Sequence, residues 1–288
     1  MPQSTLDLSL YPKLRRNQYL TPFRYPGGKT FLGGFLSSVA GKLKQNAARH
    51  YVEPYCGGAG AGLYLLANDA VDHVHLNDMD PCIYSSWHAI LYETERFLKE
   101  LDRRPVTLET WHECRNTLQT YNGGYSFDAG FATFFINRTS RSGIILGSGP
   151  IGGYGQNGKW KMDARYYRQA VRKRIEWISQ HARRISISNY DGLEALVRAS
   201  DDLPRHSTMY LVDPPYVTVG GKLYLNAMKE EQHQALANFL TSGQCANWTI
   251  TYDDHPLVRS LYKSRHLRFL NVYYSMRNRR RANELLIQ

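Results

Sequence analysis

The 288-residue sequence has no run of 18 apolar residues, no Cys-x-x-Cys pair and no low-complexity segment. The first absence excludes an ordinary transmembrane helix, so no membrane partner is expected. The four cysteines, Cys56, Cys82, Cys114 and Cys245, are scattered, which argues against a disulfide framework and a zinc site. We therefore expect no metal and a reducing compartment. The N-terminal stretch MPQSTLDLSLYPKLRRNQYL lacks the apolar centre of a secretion signal, so a cytoplasmic location is expected.

Acidic residues are scarce in one part of the chain. Residues 138–184 contain 11 lysines and arginines but only two acids, whereas residues 51–137 contain 5 basic and 12 acidic residues. Within a net charge of +11, this local surplus of nine positive charges predicts contact with a polyanion such as nucleic acid. The alternative is a solvated basic helix, because ARYYRQAVRKRIEWISQHARR has helical periodicity.

Short apolar strands alternate with helices at both ends of the chain, and helices with Gly-rich loops interrupt them over residues 91–184. The predicted strands are VHLND, ISIS, MYLVD and NWTITY, followed by a closing pair, LRFLNVYY and NELLIQ. The predicted helices include AGAGLYLLAND, PCIYSSWHAILYETERFLKEL as one helix, and DAGFATFFINR. This pattern predicts an α/β fold with a mostly parallel sheet formed by residues 20–90 and 185–288, and an insertion at residues 91–184.

The stretch MYLVDPPY, residues 209–216, is a predicted buried strand that stops abruptly. Neither Pro214 nor Pro215 has an N–H, so the sheet ladder cannot continue through them. Asp213, two bare carbonyls and the Tyr216 ring should therefore lie at the carboxyl end of a strand. Ligands of open α/β sheets bind at that edge.

Two further strand ends carry acids. In YVEPYCGGAGAG, Glu53 and Pro54 precede a Gly-rich turn into a helix, which is typical of a nucleotide-binding turn, although a sharp turn without a ligand is the alternative. About 20 residues later, Asp78 in LND has the spacing of an acid that accepts hydrogen bonds from ribose hydroxyls. The alternative is a helix N-cap, and Asp80 is better placed for that cap.

A fourth motif, RYPGGK, lies at residues 24–29. Its two glycines and lysine could hold a carboxylate, and the alternative is a turn with a surface lysine. In chain order, RYPGGK, VEPYCGGAG, ND and DPPY resemble the Dam-type (D12 class) family of N6-adenine-specific DNA methyltransferases. The segments FFINRTSRSGI, EQHQAL and ANELLI continue the resemblance, which extends over residues 24–287.

The resemblance implies a Rossmann-like methyltransferase sheet that binds S-adenosylmethionine, with residues 91–184 as a mostly helical target-recognition domain. It implies that the cofactor contacts Tyr25, Gly28, Lys29, Glu53, Pro54, Tyr55, Gly57, Asp78, Asn189, Tyr190 and Asp213. Asn189 and Tyr190 form the loosest of these matches. The alternatives are that Asp191 is the polar contact or only a helix N-cap, and that Tyr190 is a core residue.

The resemblance also implies a reaction on adenine in double-stranded DNA. The catalytic residues would be Asp213, Pro214, Pro215 and Tyr216. The Asp213 carboxylate and the Pro214 carbonyl would accept the two N–H bonds of the exocyclic amine, and Tyr216 would stack on the flipped base. The amine would then attack the methyl group of the cofactor directly, so catalysis would rest on positioning and electrostatics.

Predicted DNA contacts come from the basic insertion and from RNRRRAN near the end of the sequence. They are Asn137, Arg138, Arg141 and Lys159, together with Arg277, Arg279 and Arg280 on phosphates, although an exposed hairpin tip also explains the last three. The segment NRTSRSGIILGSGPIGGYGQNGKW departs from the pattern of GATC-specific members. A GATC target is therefore not carried over, and a different short site and relaxed specificity are equally open.

Rival functions differ in how much of the sequence they explain. Methylation of cytosine N4 or of RNA uses the same chemistry, but serine more often replaces Asp213 in cytosine N4 enzymes. A catalytically weak or inactive DNA-binding regulator on the same fold would show a damaged motif, and none of the four motifs is damaged. A nucleotide-binding oxidoreductase explains the glycine turn but neither DPPY nor the basic charge.

Overall fold

The computed structural model describes residues 4–12, 20–25, 27–44, 46–218, 228–274 and 280–288. Its strands form one sheet in the order β1–β7–β8–β6–β5–β2–β3–β4. Strand β8 is antiparallel to both of its neighbours, and every other pair is parallel. The strands are β1 (Ser4–Thr5), β2 (His50–Glu53), β3 (His73–Asn77), β4 (Ile185–Ser188), β5 (Thr208–Val212), β6 (Trp248–Asp253), β7 (Leu267–Tyr274) and β8 (Arg280–Ile287).

Helices cover both faces of this sheet. They are α1 (Gly33–Ala40), α2 (Gly60–Ala67), α3 (Pro81–Tyr92), α4 (Thr94–Arg103), α5 (Leu108–Thr120), α6 (Phe127–Thr139), α7 (Arg168–Gln180), α8 (Gly192–Asp202), α9 (Glu230–Thr241) and α10 (Pro256–Leu261). None of the described helices is long and apolar enough to cross a membrane.

Strand β5 shows how the sheet divides the interior into two hydrophobic cores. All five of its residues are buried. Met209 and Leu211 belong to the core under α1 to α7, whereas Tyr210 and Val212 belong to the core under α8 to α10. Successive side chains of a strand point to opposite faces, so a strand that is covered on both sides is apolar throughout. The apolar run before Asp213 is therefore a central strand, as predicted.

The neighbouring strands β2 and β5 lead to helices on opposite faces of the sheet. Helix α2 follows β2 into the first core, and α9 is the first described helix after β5 and packs in the second. The strand order reverses between β2 and β5, which makes this pair the switch point of a doubly wound sheet. Its carboxyl edge is where such folds bind ligands, and both Glu53 and Asp213 lie there.

Residues 91–184 form α4 to α7 and a turn-rich segment that share the first hydrophobic core with α1, α2 and α3. The predicted division of the chain into two domains stays a prediction. The Gly-rich stretch after α6 forms turns with one isolated bridge, between Ser140 and Pro150.

Several elements differ from those predicted, and helices α1 and α10, for example, were not predicted. The single helix expected over residues 81–101 is two helices, because Glu93 has φ −126° and ψ 39°, outside the helical range. The short strand β1 was not predicted, since two residues show no alternation. It pairs Ser4 with Arg268 and Thr5 with Phe269 at one edge of the sheet.

Candidate active site

The carboxyl ends of β2, β3 and β5 bring together most of the predicted cofactor and catalytic residues. One cleft at this edge is lined by the predicted residues Tyr25, Gly28, Lys29, Glu53, Tyr55, Asp78, Asp213 and Pro215, and by Cys56, Gly58, Ala59 and Gly60, which sequence reasoning did not assign. Residues from positions 25 to 215 thus meet in one place, because parallel strands end at the same edge of the sheet.

The Asp213 carboxylate has three side-chain hydrogen-bond partners. Its Oδ1 accepts hydrogen bonds from Thr251 Oγ1 at 2.6 Å and from the Tyr216 hydroxyl at 3.1 Å, and its Oδ2 lies 2.8 Å from Lys29 Nζ. Thr251 is fully buried in β6, a strand that carries none of the four sequence motifs. These three donors fix the orientation of the carboxylate.

Lys29 was predicted to contact the cofactor, and the structure places it as the cationic partner of Asp213. Its side chain is 3% exposed, and Nζ also donates to the Gly27 carbonyl at 2.8 Å. The same Nζ lies 3.7 Å from Oε2 of Glu284 in β8. Sequence reasoning missed Glu284, although it lies in the ANELLI segment that matches the family.

Buried carboxyl groups outnumber the cations of the cleft. Burial raises the pKa of Glu53 to about 8, and nearby Asp213 adds to the rise, while Tyr51 donates a hydrogen bond to Glu53 at 3.1 Å. Burial also raises the pKa of Glu284 to about 7, against the effect of Lys29. The low-dielectric surroundings favour the neutral acids. A cation entering the cleft would reverse this preference.

Asp78 is held by the Gly-rich turn. Its Oδ2 accepts from the backbone N–H of Gly57 at 2.8 Å, and its Oδ1 accepts from that of Asp80 at 3.0 Å. Burial raises the pKa of Asp78 to about 7, and nearby Asp80 adds to the rise. Asp80 itself caps α3 through the N–H of Cys82, as predicted. Gly57 has φ +45°, and a Cβ there would lie 2.7 Å from the Tyr25 ring, so only glycine fits.

Asn189 and Tyr190 do not line the cleft. Asn189 donates through Nδ2 to the carbonyls of Asp78 at 2.7 Å and Met79 at 3.1 Å. Tyr190 is 39% exposed, with the Arg198 guanidinium 4.3 Å from its ring centre. The alternative that Tyr190 is a core residue is therefore wrong, because the ring lies at the surface. Contact of either residue with the cofactor stays a prediction.

A buried amide that sequence reasoning missed ties these loops together. Asn77, the last residue of β3, donates to the carbonyls of Pro54 at 2.9 Å and Tyr190 at 3.0 Å, and accepts from the N–H of Tyr190 at 2.9 Å. The loops after β2, β3 and β4 are thereby fixed relative to one another. Asp191 caps α8 through the N–H of Leu193, as its helix-cap alternative predicted.

The chain after Pro215 is held by an acid on the neighbouring strand. Asp253, at the end of β6, accepts hydrogen bonds from the N–H groups of Val217 at 3.1 Å and Thr218 at 2.8 Å. The Tyr216 ring lies 6.1 Å from that of Tyr252. These contacts anchor the backbone directly after Tyr216, whose hydroxyl donates to Asp213.

Two of the predicted DNA contacts are buried in α6. Asn137 is fully buried, and its amide is occupied by the backbone N–H and carbonyl of Arg24 and by the carbonyl of Gly143. It therefore fixes the RYPGGK segment against α6. Arg138 is 3% exposed. Direct DNA contact by these side chains stays a prediction, and their burial gives both a positioning role.

The remaining predicted DNA contacts lie on loops or outside the described residues. Arg141 and Lys159 are exposed in the turn-rich segment between α6 and α7. Arg277 and Arg279 lie outside the described part of the chain, and Arg280 is the first residue of β8.

An acid-rich cleft at the switch point of a doubly wound sheet is typical of enzymes that bind nucleotide-containing ligands. The sequence profile of the D12 class of N6 adenine-specific DNA methyltransferases matches residues 25–277. The chain belongs to this family and is an adenine-specific DNA methyltransferase, which confirms the resemblance. The family also accounts for the α/β sheet, for a DNA substrate and for the need for a methyl donor.

No curated protein matches the chain. Two solved structures of the rRNA methyltransferase aviRa from Streptomyces viridochromogenes resemble it, with 14% and 13% sequence identity and TM-scores of 0.40 and 0.44. The matches cover 95% and 99% of this chain and 89% and 96% of theirs. Nothing about the substrate follows from likeness at this level.

Proposed function

We propose that the enzyme takes its methyl group from S-adenosylmethionine and transfers it to the N6 amine of an adenine that is flipped out of double-stranded DNA into the DPPY site. The observation that carries this proposal is the surplus of acid in the cleft. Glu53, Asp213 and Glu284 lie around Lys29, which is the only cation among the described residues that line the cleft.

The donor set suits a cationic cofactor. When bound, S-adenosylmethionine supplies an electrophilic methyl group on a positively charged sulfur. Glu53, which burial keeps neutral near pH 7, can ionise beside such a cation. Asp78 would accept hydrogen bonds from the ribose hydroxyls, and the turn at residues 57–60 lets the backbone approach closely.

The contacts of Asp213 support a role for it in holding the amine. Tyr216 now donates its hydroxyl to Asp213 Oδ1. Rotation of the Tyr216 ring onto a flipped base would remove this donor, so an N6 N–H could take its place. The carbonyl of Pro214 would accept the second N–H, because no backbone donor from either proline competes for the site.

Two acceptors on one amine favour a pyramidal nitrogen with a free lone pair. Transfer of the methyl group from the sulfonium sulfur to the N6 nitrogen would leave the positive charge on that nitrogen. The Asp213 carboxylate would stabilise that charge and accept the departing N6 proton, which then passes to solvent.

The test is methyl transfer from labelled S-adenosylmethionine to unmethylated genomic DNA, followed by single-molecule sequencing for modified bases. We expect N6-methyladenine. A recurring motif would identify the recognition site, and its absence would mean relaxed specificity. Methyl groups on cytosine or on RNA alone would overturn the proposal.

The variant Asp213→Ala distinguishes a catalytic function from a purely regulatory one. We expect it to lose turnover while it retains DNA binding, measured on a labelled duplex. The matched control is Asp128→Asn, because the Asp128 side chain is 80% exposed at the start of α6. Unchanged turnover of Asp213→Ala would contradict the proposed role of the DPPY site.

A further inference from the structure

Four arginines gather beside the cleft. They come from the segment before Tyr25, from α6 and from the chain around the start of α7: Arg24, Arg138, Arg165 and Arg174, called here the arginine cluster. Within the part of the chain that the structure describes, none of them forms an ion pair. Arg172, on α7 like Arg174, pairs with Asp102 and Glu176.

Carbonyl oxygens hold two of these side chains in place. Arg24 donates through Nη1 to the carbonyls of Ser140 at 3.1 Å and Arg138 at 3.4 Å. Arg174 donates through Nη1 to the carbonyl of Thr21 at 2.9 Å. These contacts fix the positions of the guanidinium groups but leave their charges uncompensated.

Arg138 is the centre of the cluster. It is 3% exposed, its Nη2 donates weakly to the Tyr166 carbonyl at 3.4 Å, and its buried Nε has no hydrogen-bond partner among the described residues. The guanidinium lies 5.7 Å from the centre of the Tyr167 ring, and the hydroxyl of that ring accepts from Arg165 Nη1 at 2.8 Å. Tyr167 therefore links the buried arginine to an exposed one.

The electrostatics of the cluster are unfavourable as it stands. The pKa of Arg138 is lowered to about 9, mainly by burial and in addition by the nearby charges of Arg174 and Arg24. A buried charge without a counter-ion is costly, and like charges nearby add to that cost. An anion bound among these side chains would relieve both penalties. Guanidinium groups are the preferred partners of phosphate, because their donors match its oxygens in pairs.

We infer that the arginine cluster binds a phosphate group, and that in the working complex this is a backbone phosphate of the DNA beside the flipped adenine. The assignment of this phosphate to DNA rests on the proposed function. The cluster adjoins the cleft directly, since Arg24 precedes Tyr25, whose ring packs on Gly57. A phosphate held there would fix the DNA next to the base that enters the DPPY site.

The test compares the double variant Arg165→Gln/Arg174→Gln with Arg172→Gln/Arg183→Gln. Both remove two positive charges from the same region, but only the first pair touches the cluster. Arg165 is exposed and Arg174 half-buried, so the first variant should fold. Affinity for an unmodified duplex is measured at several salt concentrations.

For Arg165→Gln/Arg174→Gln we expect affinity to fall about tenfold more than in the control, equally for all sequences, with a salt slope smaller by about 1. Arg165→Lys/Arg174→Lys should recover part of the affinity. Equal losses in the two Gln variants would overturn the inference.

A second measurement uses inorganic phosphate alone. Thermal unfolding at constant ionic strength should show that phosphate stabilises the wild type but not Arg165→Gln/Arg174→Gln. If the wild type binds no DNA while this difference persists, the proposed function fails and the phosphate site stands. If phosphate stabilises the wild type but the DNA affinities of the two Gln variants match, the assignment to the DNA backbone is overturned.

Discussion

Two charged clusters of opposite sign lie at the two ends of the RYPGGK segment. Around Lys29, three carboxyl groups surround a single described cation, whereas Arg24 belongs to four arginines that form no ion pair with any described acid. Natural proteins normally pair buried charges within the chain. A surplus that the chain itself does not compensate indicates the sign of what binds there: a cation in the cleft and an anion at the arginine cluster.

The two clusters respond to burial in opposite directions. The pKa of Glu53 rises to about 8 and that of Arg138 falls to about 9, each mainly because burial disfavours the charged form. Glu53 and Glu284 can avoid the cost of a buried charge by taking up protons, because their pKa values are about 8 and about 7. The arginine cluster cannot, because a pKa of about 9 leaves Arg138 charged at pH 7.

Removal of the cation from the acidic cluster should have the largest effect. Lys29→Met leaves Asp213 and Glu284 without their cationic partner. We expect the free energy of unfolding to fall by about 3 to 5 kcal/mol, measured in urea, and turnover to fall at least about 100-fold. The control is Lys42→Met, because Lys42 is exposed.

A second variant shows whether charge imbalance causes that loss. Lys29→Met/Glu284→Gln removes one cation and one acid, so it should be more stable at pH 8 than Lys29→Met alone. Equal stability of the two variants would mean that packing, and not charge, accounts for the effect of Lys29.

The acid surplus should also make stability depend on pH. The Glu53 carboxyl titrates near 4.5 in an unfolded chain but at about 8 when folded. Its contribution to stability is therefore fully present below pH 4.5 and is lost as pH rises to about 8. At pH 8 we expect Glu53→Gln to be more stable than the wild type by up to about 4 kcal/mol, with no difference at pH 4.

The measurement is urea unfolding at pH 4, 6 and 8, with Glu109→Gln, an exposed acid, as the control. The same Glu53→Gln variant should bind S-adenosylmethionine more weakly. A variant less stable than the wild type at pH 8 would contradict the shift in pKa.

An acid placed in the arginine cluster should give that cluster charges of both signs, as the cleft around Lys29 already has. Arg174→Glu supplies the anion that the cluster lacks, so we expect a gain of about 1 kcal/mol in the free energy of unfolding. The same change should lower affinity for duplex DNA at least about tenfold, because it occupies the phosphate position with a negative charge. Unfolding in urea and binding to a labelled duplex measure the two effects.

The control for this change is Arg183→Glu, on the surface outside the cluster. It should weaken DNA binding less than Arg174→Glu and should not stabilise the protein. A loss of stability in Arg174→Glu greater than in the control would contradict the view that the cluster lacks a counter-ion.

The smallest effect concerns one hydrogen bond inside the acidic cluster. Thr251→Val removes the 2.6 Å donor to Asp213 but keeps the shape of the side chain. We expect kcat to fall about tenfold with the KM for S-adenosylmethionine unchanged, since the bond orients the acceptor of the amine. Thr249→Val on the same strand is the control, because its hydroxyl contacts Gln288 instead.

Much of this arrangement follows from local patterns in the sequence. Strand-end acids, glycines and prolines are visible because each motif is short and continuous, and the apolar run before Asp213 indicates a central strand. Thr251 and Asp253 were missed because the local sequence of β6 gives no functional signal, and Glu284 was missed because the ANELLI match assigns it no role. Only the sheet order, with β8 next to β6 and β6 next to β5, brings them there.

The arginine cluster illustrates a different limit. The basic composition around α7 predicted a polyanion, but the sequence does not show which arginines pair with acids and which do not. One signal was present: α6 is apolar on nearly every face, and among its residues only Asp128 is not buried. An arginine within such a helix is buried. Arg138 therefore needs a counter-ion, whereas a surface arginine is stabilised by water.

Strand β8 has a consequence for the order in which the molecule is built. It is the only bridge between β6 and β7 in the described sheet, and β7 in turn holds β1 at the start of the chain. A growing polypeptide therefore cannot close its sheet until β8 has left the ribosome, and Glu284 arrives only then. The pairing of β1 with β7, which are far apart in the sequence, is slow to form. A chain that lacks β8 therefore also lacks the buried acid beside Lys29.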